Sequence, residues 1–144
     1  MKVIKSITVL FVLVFLGPTL SAQEMTAKKY NNPQWYKIEH IQFVAGKADD
    51  AKKIIKDYFH AASDKAGTPN PVMEINLASG EYDYLVIWKM QDGVEELNWQ
   101  NSPDDIKWIK ALSDMTGGQD KAMELYGKFM ADIKSVKTEI GRLE

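Results

Sequence analysis

The sequence predicts an α+β domain in which helices cover one face of a single antiparallel sheet. Three observations predict it. An aromatic and β-branched run occupies residues 35–44, two further runs at 72–77 and 82–90 have a short turn between them, and helical periodicity follows both the first and the last of these runs. The predicted order is therefore β-α-β-β-α-β, with the second α position expanded into two or three helices.

The first helix is predicted from a stripe of apolar residues that follows the Gly46-Lys47 turn. Asp49 can cap its start, Gly67 ends it, and the prolines after Gly67, the first of them Pro69, prevent its resumption. The spacing i, i+3, i+4 and i+7 places the stripe on one buried face of the helix. Its members are Ala51, Ile54, Ile55, Tyr58, Ala62 and Ala66.

The second and third strands are predicted to form a hairpin, because only residues 78–81 separate them. The third strand is apolar on both faces, whereas a sheet with one wet face should alternate apolar and polar residues. One face would carry Tyr84, Val86, Trp88 and Met90, and the other would carry Leu85 and Ile87. We therefore expect one sheet face to pack on the protein's own helices and the other on a second copy of the chain, since two-fold dimers are the commonest oligomers.

Two helices are predicted after the hairpin. Ser102 begins the first, because its hydroxyl can cap the helix, Pro103 suits the first position and two acids follow at the positive end of the dipole. Gly117-Gly118 separates this helix from another at about 120–134.

The last segment, residues 136–143, fits either a continued helix or a strand. Local propensity favours the helix, but Gly141 disfavours a helix that extends to the end. A strand here would complete the split βαβ, or ferredoxin-like, arrangement of one antiparallel sheet with helices on one face. We predict the strand.

The first residues have the pattern of a cleavable export signal. Lys2 and Lys5 precede an apolar run of about ten residues, which a Gly-Pro pair ends, and the small residues up to Ala22 suit a cleavage site. The run is too short for a membrane span, which needs about 20 apolar residues. We predict a signal peptide at 1–22, a flexible leader at 23–34 and one domain at 35–144.

The composition narrows the location and the partners. The chain has no cysteine and no acceptor sequon for N-glycosylation, which fits a free periplasmic or secreted protein without acyl anchor or disulfide. Without Lys2 and Lys5, 16 basic residues stand against 20 acidic ones, a formal charge of −4. No basic block and no second apolar run remain, so neither nucleic-acid binding nor a membrane span is predicted.

The order of elements resembles the dimeric α+β barrel superfamily, whose ferredoxin-like subunits pair sheet to sheet. The segments that carry the resemblance are the opening strand at 38–44, the turn at 46–47 before the Asp-led helix, the hairpin strand at 84–88 and the late segment at 138–143. It covers about residues 35–143. Such families include small monooxygenases, isomerases, haem-binding enzymes and members without assigned function, so the resemblance implies a fold and leaves the activity open.

Few residues could carry chemistry, because the chain has two histidines and no cysteine. His40, in the middle of the first strand, could orient a ligand or move a proton, or it could be a structural histidine near the sheet interface. Glu74 could be its polar counterpart across the sheet, Trp99 could line a cleft or lie over its mouth, and Trp88 is a further candidate ligand contact. His60 has no histidine or cysteine at i±4, and neither a metal site nor a cofactor is predicted.

The expected function is an exported dimer that binds a small apolar or aromatic molecule between sheet and helices, with His40, Glu74, Trp88 and Trp99 as candidate ligand contacts. The alternative is a cofactor-poor enzyme of the monooxygenase or isomerase kind with His40 as acid–base group, and a haem-binding version stays open. Whether the protein is an enzyme is not decided by the sequence.

Overall fold

A computed structural model describes residues 25–143. The predicted signal peptide, 1–22, lies outside the described residues. Of the predicted leader, residues 25–33 carry no helix or strand, and the first strand begins at Gln34. No helix in the described part of the chain is long and apolar enough to cross a membrane.

The elements follow the predicted order. They are β1 (Gln34–Phe43), α1 (Ala48–Ile54), a π-helical turn (Ile55–Phe59), α2 (His60–Ala66), β2 (Met73–Asn76), β3 (Tyr84–Met90), a 3₁₀ segment (Gly93–Asn98), α3 (Pro103–Thr116), α4 (Gln119–Ala131) and β4 (Ile133–Leu143).

The sheet has four strands in the order β2-β3-β1-β4, and each pair of neighbours is antiparallel. Helices pack on one face of it, so the predicted ferredoxin-like fold is confirmed. The predicted final strand is confirmed as well, and it begins earlier than expected, at Ile133. It pairs with β1 along its whole length, from Phe43 opposite Ile133 to Gln34 opposite Leu143. The free edge of β1 supplies backbone partners that outweigh the slight local preference for helix.

The first helical region runs without a break through α1, the π turn and α2, as predicted. The predicted Asp49 cap does not form, because Lys47 is the N-cap and makes no side-chain capping bond, and Tyr58 of the predicted buried stripe is exposed. It ends at Gly67, which has φ +66° in the left-handed conformation that glycine adopts without steric cost. A π turn contains an extra residue, so it rotates the residues after it relative to the stripe that a regular helix would continue. His60 is the first residue after the turn and is half-buried.

The described residues form a core of two hydrophobic clusters. The first lies between the sheet and the helices α1 and α4, and the second lies among α2, α3 and α4 around the fully buried Leu112. Phe59, in the π turn, packs against both clusters. The buried members of the first cluster are Ile41, Phe43, Ala51, Ile54, Ile55, Tyr84, Val86 and Phe129.

Candidate functional site

The helix side of the sheet has a strip that lies between two covered regions. At one end, α1 and α4 cover Ile41 and its neighbours in the first core cluster. At the other end, the 3₁₀ segment begins at Gly93, which packs so closely on Trp35 that an added Cβ would lie 3.1 Å from the Trp35 ring. Strand register orders the rows from the helices outward as Tyr84–Ile41–Val136, Val86–Glu39–Thr138, Trp88–Lys37–Ile140 and Met90–Trp35–Arg142.

The strip between the two covered regions is called here the trough, and its residues are Lys37, Glu39, Trp88, Thr138 and Ile140. Thr138 is exposed and Ile140 is 38% exposed, although both lie on the face that the helices cover elsewhere. Trp88 is half-buried and packs against the first core cluster from the trough side. The trough therefore presents an aromatic ring and aliphatic surface to solvent.

The polar groups of the trough form one connected set. The indole Nε1 of Trp88 donates a hydrogen bond of 3.0 Å to Oε2 of Glu39, and the ammonium of Lys37 lies 3.2 Å from Oε1 of the same carboxylate. The Lys37 Nζ also lies 5.6 Å from the centre of the Trp88 ring, within the range of a cation–π interaction. The side chain of Glu39 is 24% exposed and that of Lys37 is 40% exposed. Each carboxylate oxygen thus has its own partner.

Lys37 and Glu39 were not among the predicted site residues. Residues two apart on a strand share a face, so both stand in phase with the core residues Ile41 and Phe43. Two charged residues at core-facing positions of a strand are visible in the sequence and could have indicated a site. The sequence alone does not show that the Glu39 carboxylate lies next to Trp88, because that depends on the strand register.

Glu74 belongs to a second polar cluster on the same side of the sheet. It lies in the row of Val86 and Glu39, at the β2 edge. Its Oε1 is 3.1 Å from Nε2 of His60, and its carboxylate lies near the phenol of Tyr84. Burial raises the pKa of the Tyr84 phenol well above its usual range, and the nearby charge of Glu74 raises it further. The cluster joins the start of α2 to β2 and β3.

His40 lies on the open face of the sheet, which no helix of the described residues covers. Its Nε2 is 3.0 Å from Oε2 of Glu139, and its ring packs against Tyr82 with centroids 5.4 Å apart. The other oxygen of Glu139 is 2.9 Å from the ammonium of Lys137. These two partners, Lys137 first, hold the pKa of the Glu139 carboxyl below its usual value of 4.5.

The structure does not bring the predicted site residues together. His40 is on the open face, whereas Glu74 and Trp88 are on the helix side, so the expected convergence of His40 and Glu74 across the sheet does not occur. The reason is register: Glu74 pairs with Val86, which places it in the row of Glu39, one residue away from His40 and thus on the opposite face. Trp99 follows the 3₁₀ segment and is 56% exposed.

Two surface hollows lie elsewhere on the described residues. One, of about 360 Å³, is lined by residues 30–34 with 142 and 143, where the guanidinium of Arg142 lies 3.2 Å from the centre of the Tyr30 ring. The other, of about 410 Å³, lies between Tyr58, the end of α3 and residues 121–128 of α4. Both are wide open to solvent, and neither has a ring hydrogen-bonded to a carboxylate as Trp88 is to Glu39, so the trough is the better candidate site.

Comparison with known proteins identifies the fold. No protein-family model matches the chain, and no curated protein matches it. Among solved structures, a NIPSNAP family protein of unknown function from Agrobacterium tumefaciens is similar, with a TM-score of 0.53 and 13% identity over 79% of this chain and 91% of that one. A second NIPSNAP family protein from the same organism has a TM-score of 0.51 and 12% identity over 82% and 92% of the two chains. The chain shares their ferredoxin-like α+β fold.

Proposed function

We propose that the protein is an exported, homodimeric small-ligand-binding protein of the dimeric α+β barrel type, which holds an apolar or aromatic molecule in the trough. One observation carries the proposal: the Trp88 ring faces an uncovered strip of the sheet and its indole is fixed by the Glu39 carboxylate at 3.0 Å. Small-molecule sites combine apolar and aromatic surface with a few fixed polar groups. The trough has both kinds of surface side by side.

The dimer is proposed to form through the open face of the sheet. In the strand register, Ile38, Ile87 and Met73 are cross-strand neighbours in one row of this face. Leu85 and Ile75 lie beside His40 in the next row. These five apolar side chains are contiguous and are half-buried or exposed in the single chain. Burying a side chain of this size contributes about 1.5–3 kcal/mol, so a second copy of the sheet would stabilise the pair substantially.

Export is proposed from the first 22 residues. The charged start, the short apolar run and the small residues before Gln23 form the signal, and cleavage after Ala22 would release a protein that acts in the periplasm or outside the cell. N-terminal sequencing of the protein recovered from the periplasm of an expressing bacterium tests this step: Gln23 as first residue is the expected result, and an intact Met1 in the cytoplasm would contradict it.

Native mass spectrometry of the exported protein tests dimer and ligand together. The expected spectrum shows a dimer and, in part of the molecules, the mass of a retained small molecule. A strictly monomeric protein at micromolar concentration would contradict the dimer.

The neutral aromatic dye N-phenyl-1-naphthylamine probes the trough directly. We expect the dye to fluoresce on binding, Trp88→Ala to abolish the signal and Ile106→Ala, on the exposed surface of α3, to leave it unchanged. Equal dye binding in the wild-type protein and in Trp88→Ala would contradict the proposed site.

A second candidate function is a cofactor-poor enzyme of the monooxygenase or isomerase kind with His40 as acid–base group. The observation that favours it is the 3.0 Å contact of His40 Nε2 with Glu139, because a carboxylate partner orients an imidazole and fixes its tautomer. In a turnover assay, His40→Ala should abolish activity and leave the dimer intact, whereas the control His60→Ala, on the helix side of the sheet, should retain activity. Loss of the dimer instead of activity would assign His40 a structural role.

A further inference from the structure

The ammonium of Lys37 occupies a position in the trough where two different groups attract it. The ammonium of Lys37 lies 3.2 Å from the Glu39 carboxylate and 5.6 Å from the centre of the Trp88 ring. A carboxylate and the face of an indole are the two groups that attract an alkylammonium most strongly in proteins. Here they are adjacent and linked by the 3.0 Å hydrogen bond from the indole to the carboxylate.

The two charged groups differ in how firmly they are held. Glu39 is on a central strand, has the less exposed side chain and is anchored by the Trp88 indole, whereas Lys37 is attached through a flexible four-carbon stem and is 40% exposed. The ammonium can therefore turn into water at little cost, but the carboxylate cannot leave. Without a nearby cation, Glu39 would have only the neutral Trp88 indole as a hydrogen-bond donor, and its negative charge would be largely uncompensated.

We propose that the ligand of the trough carries an ammonium group, which takes the place of the Lys37 ammonium on Glu39 and Trp88 while its apolar body lies along Ile140. This inference rests on the proposed function, because it names the class of molecule that the proposed site accepts: a primary or alkylated amine with an aliphatic or aromatic body. Lys37 then acts as an internal substitute that compensates Glu39 while the site is empty.

The surroundings of the trough favour a cation over an anion. An anionic ligand would have to draw the Lys37 ammonium away from Glu39 and then lie beside that carboxylate, which repels it. Arg142, in the next row outward, has its guanidinium over the Tyr30 ring, 3.2 Å from the ring centre.

Three probes with the same phenylethyl body separate the chemical classes: 2-phenylethylamine, 2-phenylethanol and 3-phenylpropionate. Each is titrated into the ¹⁵N-labelled protein, and the indole N–H signal of Trp88, assigned by its absence in Trp88→Phe, reports binding. We expect the amine to shift this signal and to bind at least about tenfold more tightly than the alcohol, since it adds a charge-assisted contact and a cation–π contact. The acid should bind most weakly.

Substitutions at Lys37 and at Glu39 should change the amine affinity in opposite directions. If the two residues had a purely structural role, the two substitutions would not have opposite effects. Lys37→Met removes the internal competitor, so amine affinity should rise by about three- to tenfold, because the site no longer has to release its own cation. Glu39→Gln should lower the affinity for the amine to about the affinity for the alcohol. Lys89→Met, an exposed lysine on the open face, is the matched control and should change nothing. The indole signal of Trp108, which donates to the Phe59 carbonyl in the core, shows that each variant is folded.

The outcomes separate this inference from the proposed function. If the alcohol or the acid shifts the Trp88 signal at concentrations equal to or below those of the amine, the trough binds ligands but the ammonium inference is wrong. Weaker amine binding in Lys37→Met would also overturn it. If none of the three probes shifts the Trp88 signal at millimolar concentration, both the trough site and the inference fail.

Discussion

Nε2 of His60 lies 3.1 Å from Oε1 of Glu74, and this contact ties the first helical region to the edge strand of the sheet. His60 is the first residue after the π turn, and the extra residue of that turn offsets it from the apolar stripe. The same carboxylate lies near the buried phenol of Tyr84, and its charge raises the pKa of that phenol. One acidic side chain on β2 thus interacts with groups from α2 and β3.

Glu74→Ala should destabilise the fold. The change removes the hydrogen-bond partner of the half-buried His60 and the carboxylate near the buried Tyr84 phenol, and a buried polar group left unsatisfied costs about 1–3 kcal/mol. Urea unfolding at pH 7 measures the loss. Glu81→Ala, in the exposed turn between β2 and β3, is the control and should stay within about 0.5 kcal/mol of the wild-type protein. Equal stability of the two variants would show that Glu74 has no such role.

Tyr84 should make the protein sensitive to alkaline pH. Its pKa is raised by burial and by Glu74, so between the ordinary tyrosine pKa of 10.0 and the higher folded value the folded state binds more protons than the unfolded state. Stability from this group is complete below pH 10 and falls as pH rises, by up to about 1.4 kcal/mol per pH unit.

Unfolding in urea between pH 9 and pH 11.5 measures this slope. Tyr84→Phe should flatten it, while Tyr58→Phe, which removes an exposed phenol, should leave it as in the wild-type protein. A slope that is the same in all three proteins would contradict the role of Tyr84.

The fold could be predicted because its signals are local and mutually consistent. The stripe from Ala51 to Ala66, the Ser102 start and the hairpin turn each specify one element. Ser102 caps α3 as predicted, and Asp105 completes a capping box with it. The final strand was the ambiguous element. Its outcome depends on the free edge of β1, a long-range partner that local propensity does not include.

The site could be predicted only in part. Trp88 is a predicted ligand contact and lies in the trough, but its partner Glu39 is 49 residues away in the chain and reaches it only through the β1–β3 register. The same limit applies to His60 and Glu74, whose contact depends on a π turn that the apolar stripe does not reveal. Register sets the face of every side chain on a strand, and a shift of one residue would exchange the faces of His40 and Glu39.

Glu139 should titrate at lower pH than an isolated glutamate, and Lys137 should be the main cause. Lys137 and His40 both favour the ionised carboxylate, which keeps the pKa of Glu139 below 4.5. Lys137→Met should therefore raise the pKa more than His40→Ala does, as ¹³C carboxyl NMR titration can measure. The sign for stability follows: any contribution of this group is present above the unfolded pKa and is lost as pH falls through the lowered folded value. A larger shift in His40→Ala would reverse the order of the two partners.

Ile87→Lys should convert the proposed dimer into a monomer without unfolding the chain. Ile87 lies on the open face between Ile38 and Met73, at the centre of the apolar patch, so a lysine there would place an uncompensated charge in the interface of two sheets. In the single chain the same ammonium would reach water, and the fold should persist.

Sedimentation velocity gives the oligomeric state, and circular dichroism gives the fold. Ile106→Lys, a matched change on the exposed surface of α3, should leave the dimer intact. If Ile106→Lys dissociates the protein and Ile87→Lys does not, the interface lies on the helical layer. In that case the open face must be stable in water, which five contiguous apolar side chains make unfavourable.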